Sequence, residues 1–173
     1  MFSSTSAPSQ NPVLARESEI IRIEIAKLLK KQVINLTSFD KGDFFSGVFT
    51  KPKKDGTYRM ILNLKRVNTF MEYNHFKIES IQDVIQVVRL GVYMASIDLK
   101  DAFYSIKINP EHHKYLKICF DNKIFGFTCL PNGYDPAMRV FTKTTKPIFT
   151  NLRSRGHISV TFVDDSTSSR ENL

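Results

Sequence analysis

The chain is short of the features that mark several large protein classes. Its 173 residues hold two cysteines, Cys119 and Cys129, too few for a disulfide framework and without the spacing of a zinc site. No run approaches the ~18 consecutive apolar residues of a membrane-spanning helix. The start, Met1 to Pro12, is polar and lacks the basic-then-apolar order of a secretion signal. No internal repeat occurs, and no low-complexity tract lies beyond the N-terminus. These absences argue against a secreted disulfide scaffold, a membrane protein or a repeat array. The expected setting is intracellular, cytoplasmic or nuclear, with no membrane partner.

Acidic residues are also scarce, 17 Asp plus Glu against 25 Lys plus Arg, leaving a net charge of +8. At 42% hydrophobic and 12% aromatic, the chain can still bury a real core, and its length suits one domain. A positive surplus points to a polyanion, most often nucleic acid, although many ordinary proteins are as basic.

Residues 1–12 are rich in Ser and Pro, and disorder is expected over 1–15. A helix follows, with Ser18 as N-cap, Ile20, Ile21, Ile25, Leu28 and Leu29 as its apolar stripe, and Lys27, Lys30 and Lys31 in its last turn. From Phe44 the rhythm becomes that of strands: GVFTKP, a turn at Asp55-Gly56, then TYRMILNL. In the second strand Arg59, Ile61, Asn63 and Lys65 share one side, which gives the hairpin a basic edge. Residues 79–89 read as a helix ended by Gly91, and VYMASID as a strand. A hairpin of KYLKICF and KIFGFTCL turns at Asp121-Asn122. The loop LPNGYDP then leads to a helix over 137–153, and HISVTFV is the last strand. Helices and hairpins mix without βαβα order, so the class is α+β.

Two of these strands end on aspartate, at Asp98 and at Asp164-Asp165. If they are neighbours, Asp98 and Asp164 converge at one sheet edge, where unpaired carboxylates repel and a divalent cation relieves them. Oxygen-only ligation suits Mg²⁺, and two such ions about 4 Å apart serve phosphoryl or nucleotidyl transfer. An isolated Asp-Asp after a strand is more often an exposed turn, so the pair alone decides nothing.

The order of motifs is more specific. KPKKDGTYRMILNLKRVN, YMASIDLKDAFYSIKI, FTCLPNGY and FVDD follow one another between Val48 and Asp165. In sequence and spacing this stretch resembles the fingers and palm of a retroelement reverse transcriptase. The texture of RMILNLK, HFKIESIQDV and RVFTKTTKP is most similar to DIRS-type retrotransposons.

That resemblance implies a right-hand polymerase fold, with fingers over 16–90 and a palm over 91–173 whose antiparallel, ferredoxin-like sheet is backed by helices. It implies RNA- or DNA-templated addition of deoxynucleotides to a primer 3′-end, with a template-primer and dNTPs as partners and two Mg²⁺ ions, or Mn²⁺ in their place. Asp98, Asp164 and Asp165 match the metal-binding aspartates, and Leu99 offers a backbone carbonyl. Phe103 falls at the gate that excludes a 2′-hydroxyl, with Asp101 and Ala102 lining the same pocket. Asn132 stands where a glutamine usually contacts the incoming nucleotide. Arg59 matches the arginine that grips the triphosphate, and Lys53 and Lys54 are both eligible to assist it. Arg139, Lys143 and Lys146 lie on the helix expected near the template-primer, where phosphate neutralisation gives sequence-independent affinity.

Some positions depart from the family pattern. Phe162 replaces the usual tyrosine, and Met138 stands where a proline usually opens the helix, with Asp135-Pro136 just before it. The return after Asp165, STSSRENL, has one leucine, so a weakly held catalytic hairpin is expected. No thumb or ribonuclease H segment follows, so the chain reads as a truncated domain. The competing expectation is an inactive remnant that at most binds nucleic acid.

Overall fold

Ile21, Ile25 and Leu28 recur at helical spacing, and that stripe fixes which side of the first helix is buried. The computed structural model describes residues 15–72, 74–76, 82, 85–86, 93–162 and 165–170. Helix α1 spans Ala15–Lys30 and buries all three residues, while Leu29 stays exposed at the margin. Ser18 therefore lies inside the helix instead of capping it, because Ala15, Arg16 and Glu17 are themselves helix-compatible. At the other end, Val33 N–H donates to the Leu28 carbonyl (3.0 Å) and Gln32 N–H to that of Leu29 (2.9 Å). Gln32 takes φ +57°, the left-handed position of this helix stop.

The strands are β1 (Ile34–Thr37), β2 (Phe45–Pro52), β3 (Tyr58–Asn63), β4 (Tyr93–Asp98), β5 (Lys117–Phe120), β6 (Lys123–Phe127), β7 (Ile158–Phe162) and β8 (Asp165–Arg170). Helices α2 (Lys65–Asn68) and α3 (Asp135–Ser154) also lie among the described residues. The expected helix over 79–89, with Gly91, falls largely outside the described residues. No helix among the described residues is long and apolar enough to cross a membrane.

The chain forms two compact units that alternate along it, where the sequence reading divides it once, at residue 90. One takes Met1–Met71 and Tyr104–Asp135, the other Glu72–Phe103 and Pro136–Leu173. The first unit holds a five-stranded sheet in the order β1-β6-β5-β2-β3. It is antiparallel except where β2 meets β5 in parallel, Phe45 beside Lys117 and Ser46 beside Ile118. Ile34, Leu64, Val67, Leu116, Ile118, Phe125, Phe127 and Cys129 join the α1 stripe in one core.

Both expected turns form, with different geometries. Phe120 pairs with Lys123 across Asp121 and Asn122, whose φ values of 46° and 57° match a two-residue, doubly left-handed turn. The β2–β3 loop is one residue longer than an Asp55-Gly56 turn: Lys53 N–H donates to the Thr57 carbonyl, leaving Lys54, Asp55 and Gly56 between them. Gly56 there has φ +77°, the left-handed residue that a three-residue loop needs. The strand expected from Lys114 begins only at Lys117. Pro110–Tyr115 is a 3-10 helix opened by Asn109, whose side chain accepts the Glu111 N–H (3.1 Å).

The second unit carries α3 and an antiparallel three-stranded sheet in the order β4-β8-β7. The polar return after Asp165 forms β8 in the middle of that sheet, paired on both sides. Every residue of β8 has a backbone N–H and C=O to supply to the ladder, so the lack of apolar side chains does not prevent the strand. Helix α3 opens on Asp135-Pro136 and ends in the same stop as α1, here with Gly156 at φ +82°. Pro147 inside it removes one N–H from the ladder.

One buried charge pair fastens the first unit. Lys117 on β5 donates to Asp43 Oδ2 (2.7 Å) and to the Ser38 carbonyl (3.1 Å), and both side chains are almost fully buried. The Asp40 N–H shares the same carboxylate oxygen (2.7 Å). Lys117→Met strands a buried carboxylate, and we expect it to cost about 3–5 kcal/mol in urea unfolding, whereas Lys117→Met with Asp43→Leu recovers most of the loss. Equal destabilisation by the single and double variants would show that the pair is not what holds this loop.

Candidate functional site

The hydrogen-bond register of the second unit brings Asp98 and Asp165 together. They are direct partners at one end of the β4–β8 ladder, and Asp165 is in turn the partner of Phe162 across β7–β8. Direct antiparallel partners have Cα atoms about 4.5–5.5 Å apart. Asp165, the first residue of β8, is the residue that the ladder aligns with Asp98. Asp164 lies outside the described residues. Asp98 is exposed, as is Leu99 after it. Among the described residues no group of three or more His, Cys, Asp or Glu is gathered.

Beyond β4 the chain bends sharply at Asp101, whose φ of +58° is left-handed, a region aspartate tolerates better than most residues. The bend leads into a 3-10 helix, Ala102–Ser105, with Ala102 buried and Phe103 half-buried. Phe103 packs edge-to-face on Phe141 of α3, with centroids 5.6 Å apart and planes at 73°. Phe141 is almost fully buried, so the Phe103 ring has a firm backing. Sequence reasoning missed Phe141 as a site residue, since on α3 it reads simply as part of the apolar stripe.

Arg139, Lys143 and Lys146 follow one another along one side of α3 at spacings of four and three residues. Arg139 is half-buried and both lysines are exposed. A shallow groove of about 540 Å³ runs past Lys143, Lys146, Pro147 and Thr150.

The remaining site residues belong to the first unit. Arg59 on β3 is exposed and lies directly opposite Lys51 on β2. Like charges facing each other across a ladder are destabilising, and an anion placed over both relieves the repulsion. Lys53 closes the ladder and Lys54 sits in the loop, both exposed. Lys51 was the missed member of this group. Placing the loop at three residues instead of two would have aligned it with Arg59. Asp55 stiffens the loop by accepting from the Thr57 hydroxyl (2.6 Å) and N–H (2.9 Å), bonds that hold its carboxyl below the usual aspartate range.

Asn132 is exposed in the loop before α3 and donates to the Tyr104 hydroxyl at 3.3 Å. Tyr134, two residues on, donates its hydroxyl to Met71 Sδ (3.1 Å), and burial pushes that hydroxyl above the usual tyrosine range. The structure thus gathers Asp98, Asp165, Leu99, Asp101, Ala102 and Phe103 along one stretch of the second unit. In the first unit it gathers the cations of the β2–β3 hairpin and, separately, the Asn132 loop.

The Pro-Pol polyprotein of Simian foamy virus type 1 is 26% identical over 133 residues, which cover 77% of this chain and 11% of that protein. The transposon Tf2-3 polyprotein of Schizosaccharomyces pombe is 25% identical over 115 residues, 66% of this chain and 8% of that protein. The chain therefore spans only a small part of the curated relatives it matches. Among solved structures, the native prototype foamy virus protease-reverse transcriptase superposes with a TM-score of 0.79 at 23% identity, covering 95% of this chain and 21% of that one. The foamy viral enzyme in complex with dsDNA gives 0.78 at 23%, covering 97% of this chain and 34% of that one. Both likenesses establish the mixed α+β fold. A family model described as reverse transcriptase (RNA-dependent DNA polymerase) matches residues 51–172, well over half of the chain, and the chain belongs to that family.

Proposed function

We propose that this chain supplies the nucleotide-addition site of an RNA-directed DNA polymerase from a retroelement, joining deoxynucleotides to a primer 3′-end. The observation that carries the reading is the register of Asp98 against Asp165. It sets two acidic residues side by side at strand ends, an arrangement that is unfavourable for stability and useful for binding cations. The donor set fits a hard divalent ion: the Asp98, Asp164 and Asp165 carboxylates with the Leu99 carbonyl are all oxygens. No histidine or cysteine occurs over 93–106 or 158–170. When bound, two Mg²⁺ ions, or Mn²⁺ in their place, lower the pKa of the primer hydroxyl and neutralise the leaving pyrophosphate.

The other residues bind and orient. Arg59, with Lys51 opposite and Lys53 and Lys54 nearby, neutralises the triphosphate, its forked guanidinium taking two oxygens at once. Phe103, backed by Phe141, sets a fixed wall against a 2′-hydroxyl, while Asp101 and Ala102 complete that pocket. Asn132 contacts the incoming nucleotide, and Arg139, Lys143 and Lys146 neutralise template-primer phosphates. The dsDNA held by a foamy viral relative supports a nucleic-acid partner. On this reading residues 16–90 serve as fingers and 91–173 as palm, and the texture of RMILNLK and RVFTKTTKP favours a DIRS-type element.

Primer extension by the purified chain on a primed RNA template tests the assignment. Asp165→Asn should lower Mg²⁺-dependent extension by about 10³-fold, the scale of several kcal/mol of lost charge stabilisation. If wild type and Asp165→Asn extend equally little while both bind template-primer, the chain is a nucleic-acid-binding remnant and the enzymatic reading is wrong.

The gate has its own signature. Phe103→Ala should raise ribonucleotide use relative to deoxynucleotide use by about 10²-fold, the usual range for discrimination at an apolar pocket. An unchanged ratio of kcat/KM values for the two nucleotides would remove Phe103 from that role.

A further inference from the structure

The side chain of Asn68, the last residue of α2, makes three hydrogen bonds to one distant loop. Its Nδ2 donates to the Gly133 carbonyl and to Asp135 Oδ1, both at 2.9 Å, and its Oδ1 accepts the Asp135 N–H at 3.2 Å. Both donors and one acceptor of the carboxamide are thereby used. The loop they clasp carries Asn132, which is exposed, as is Gly133 beside it. Gly133 sits at φ +86°, and the turn bond from Tyr134 N–H to the Pro131 carbonyl is long, at 3.4 Å. Elsewhere the loop is tied by Asn132 to Tyr104 and by Tyr134 to Met71, with the Tyr134 ring packed against the core and Leu130 N–H bonded to the Ile106 carbonyl (3.0 Å).

We infer that Asn68 is a positioning residue for nucleotide binding, holding Gly133 and Asp135 so that Asn132 is already in place when a deoxynucleotide arrives. The inference rests on the reading of Asn132 as a nucleotide contact. A contact on an exposed, glycine-containing loop loses affinity to the entropy of ordering that loop, and a clasp that orders it beforehand removes the loss. A carboxamide is what the place requires. It must donate to a carbonyl and a carboxylate while accepting from an N–H, and neither aspartate nor alanine does all three.

The test uses the full chain with a primed template, Mg²⁺ and a single dNTP, comparing Asn68→Ala, Asn68→Asp, Asn132→Ala and the double alanine variant. Asn68→Ala and Asn68→Asp should each raise KM about tenfold with kcat changed much less, the size of one or two lost hydrogen bonds. The double variant should be no worse than Asn132→Ala, because a misplaced Asn132 and an absent one are equivalent. Multiplying losses, or an unchanged KM in Asn68→Ala, overturns the inference. Amide hydrogen exchange gives a second, activity-free readout. In Asn68→Ala the amides of 133–135 should exchange about tenfold faster while those of α1 keep wild-type rates. If the wild-type chain uses no dNTP, the proposed function fails, and the exchange result alone decides whether Asn68 holds the loop.

Discussion

Across the β4–β8 ladder Asp98 and Asp165 are direct partners, and two like charges at that spacing repel. Nothing in their own chemistry keeps them there. The backbone hydrogen bonds of β4, β8 and β7 do, and a strand of Asp, Ser, Thr and Arg forms the middle of that sheet. The ladder thus fixes two acidic residues as neighbours at one end of the sheet. The sharp bend at Asp101 and the backed ring of Phe103 extend the same rigid stretch by a few residues.

The first unit repeats the device with the opposite sign. Lys51 and Arg59 face each other on exposed strand positions, and the loop beyond them adds two more lysines. The contrast within the same unit is Lys117 with Asp43. There a cation and an anion are buried together, hydrogen-bonded to each other and to the backbone, and the pair fastens a loop. Opposite charges are paired where stability is at issue. Like charges are lined up at exposed strand positions, where a ligand of the other sign would relieve them.

Much of this was legible in the residues. The α1 stripe, the two hairpins, the helix after the LPNG loop and the aspartate at the end of β4 all follow from periodicity and turn chemistry. The order of the four motifs named the family. What was not legible depended on pairing between distant segments. β1 is four residues long and is stabilised by β6 across the sheet, so INLT carries no strand signal strong enough to stand alone. The parallel meeting of β2 with β5 leaves no local trace at all. Lys51 escaped notice because a three-residue loop shifts the hairpin register by one. Asn68 escaped because its three hydrogen bonds go to two residues in a loop far along the chain, Gly133 and Asp135.

The register that assembles the acidic pair has an unusual origin. In most sheets a one-residue slip is resisted because it would turn the apolar face outward. The β8 sequence DSTSSR has no such pattern, so its side chains discriminate weakly between the native pairing and its neighbours. A slip of one residue along β4 would set Ser166 beside Asp98 and disperse the charge. Backbone pairing must therefore do what the pattern does not, and β8 pairs with β4 at six positions, from Tyr93 with Arg170 to Asp98 with Asp165. Phe162 pairs with Asp165 across a connection of two residues, and in a hairpin the length of that connection fixes the register of the two strands it joins, here β7 and β8. The turn thus seats β8 against β7, while the six-pair ladder with β4 is what seats Asp165 opposite Asp98.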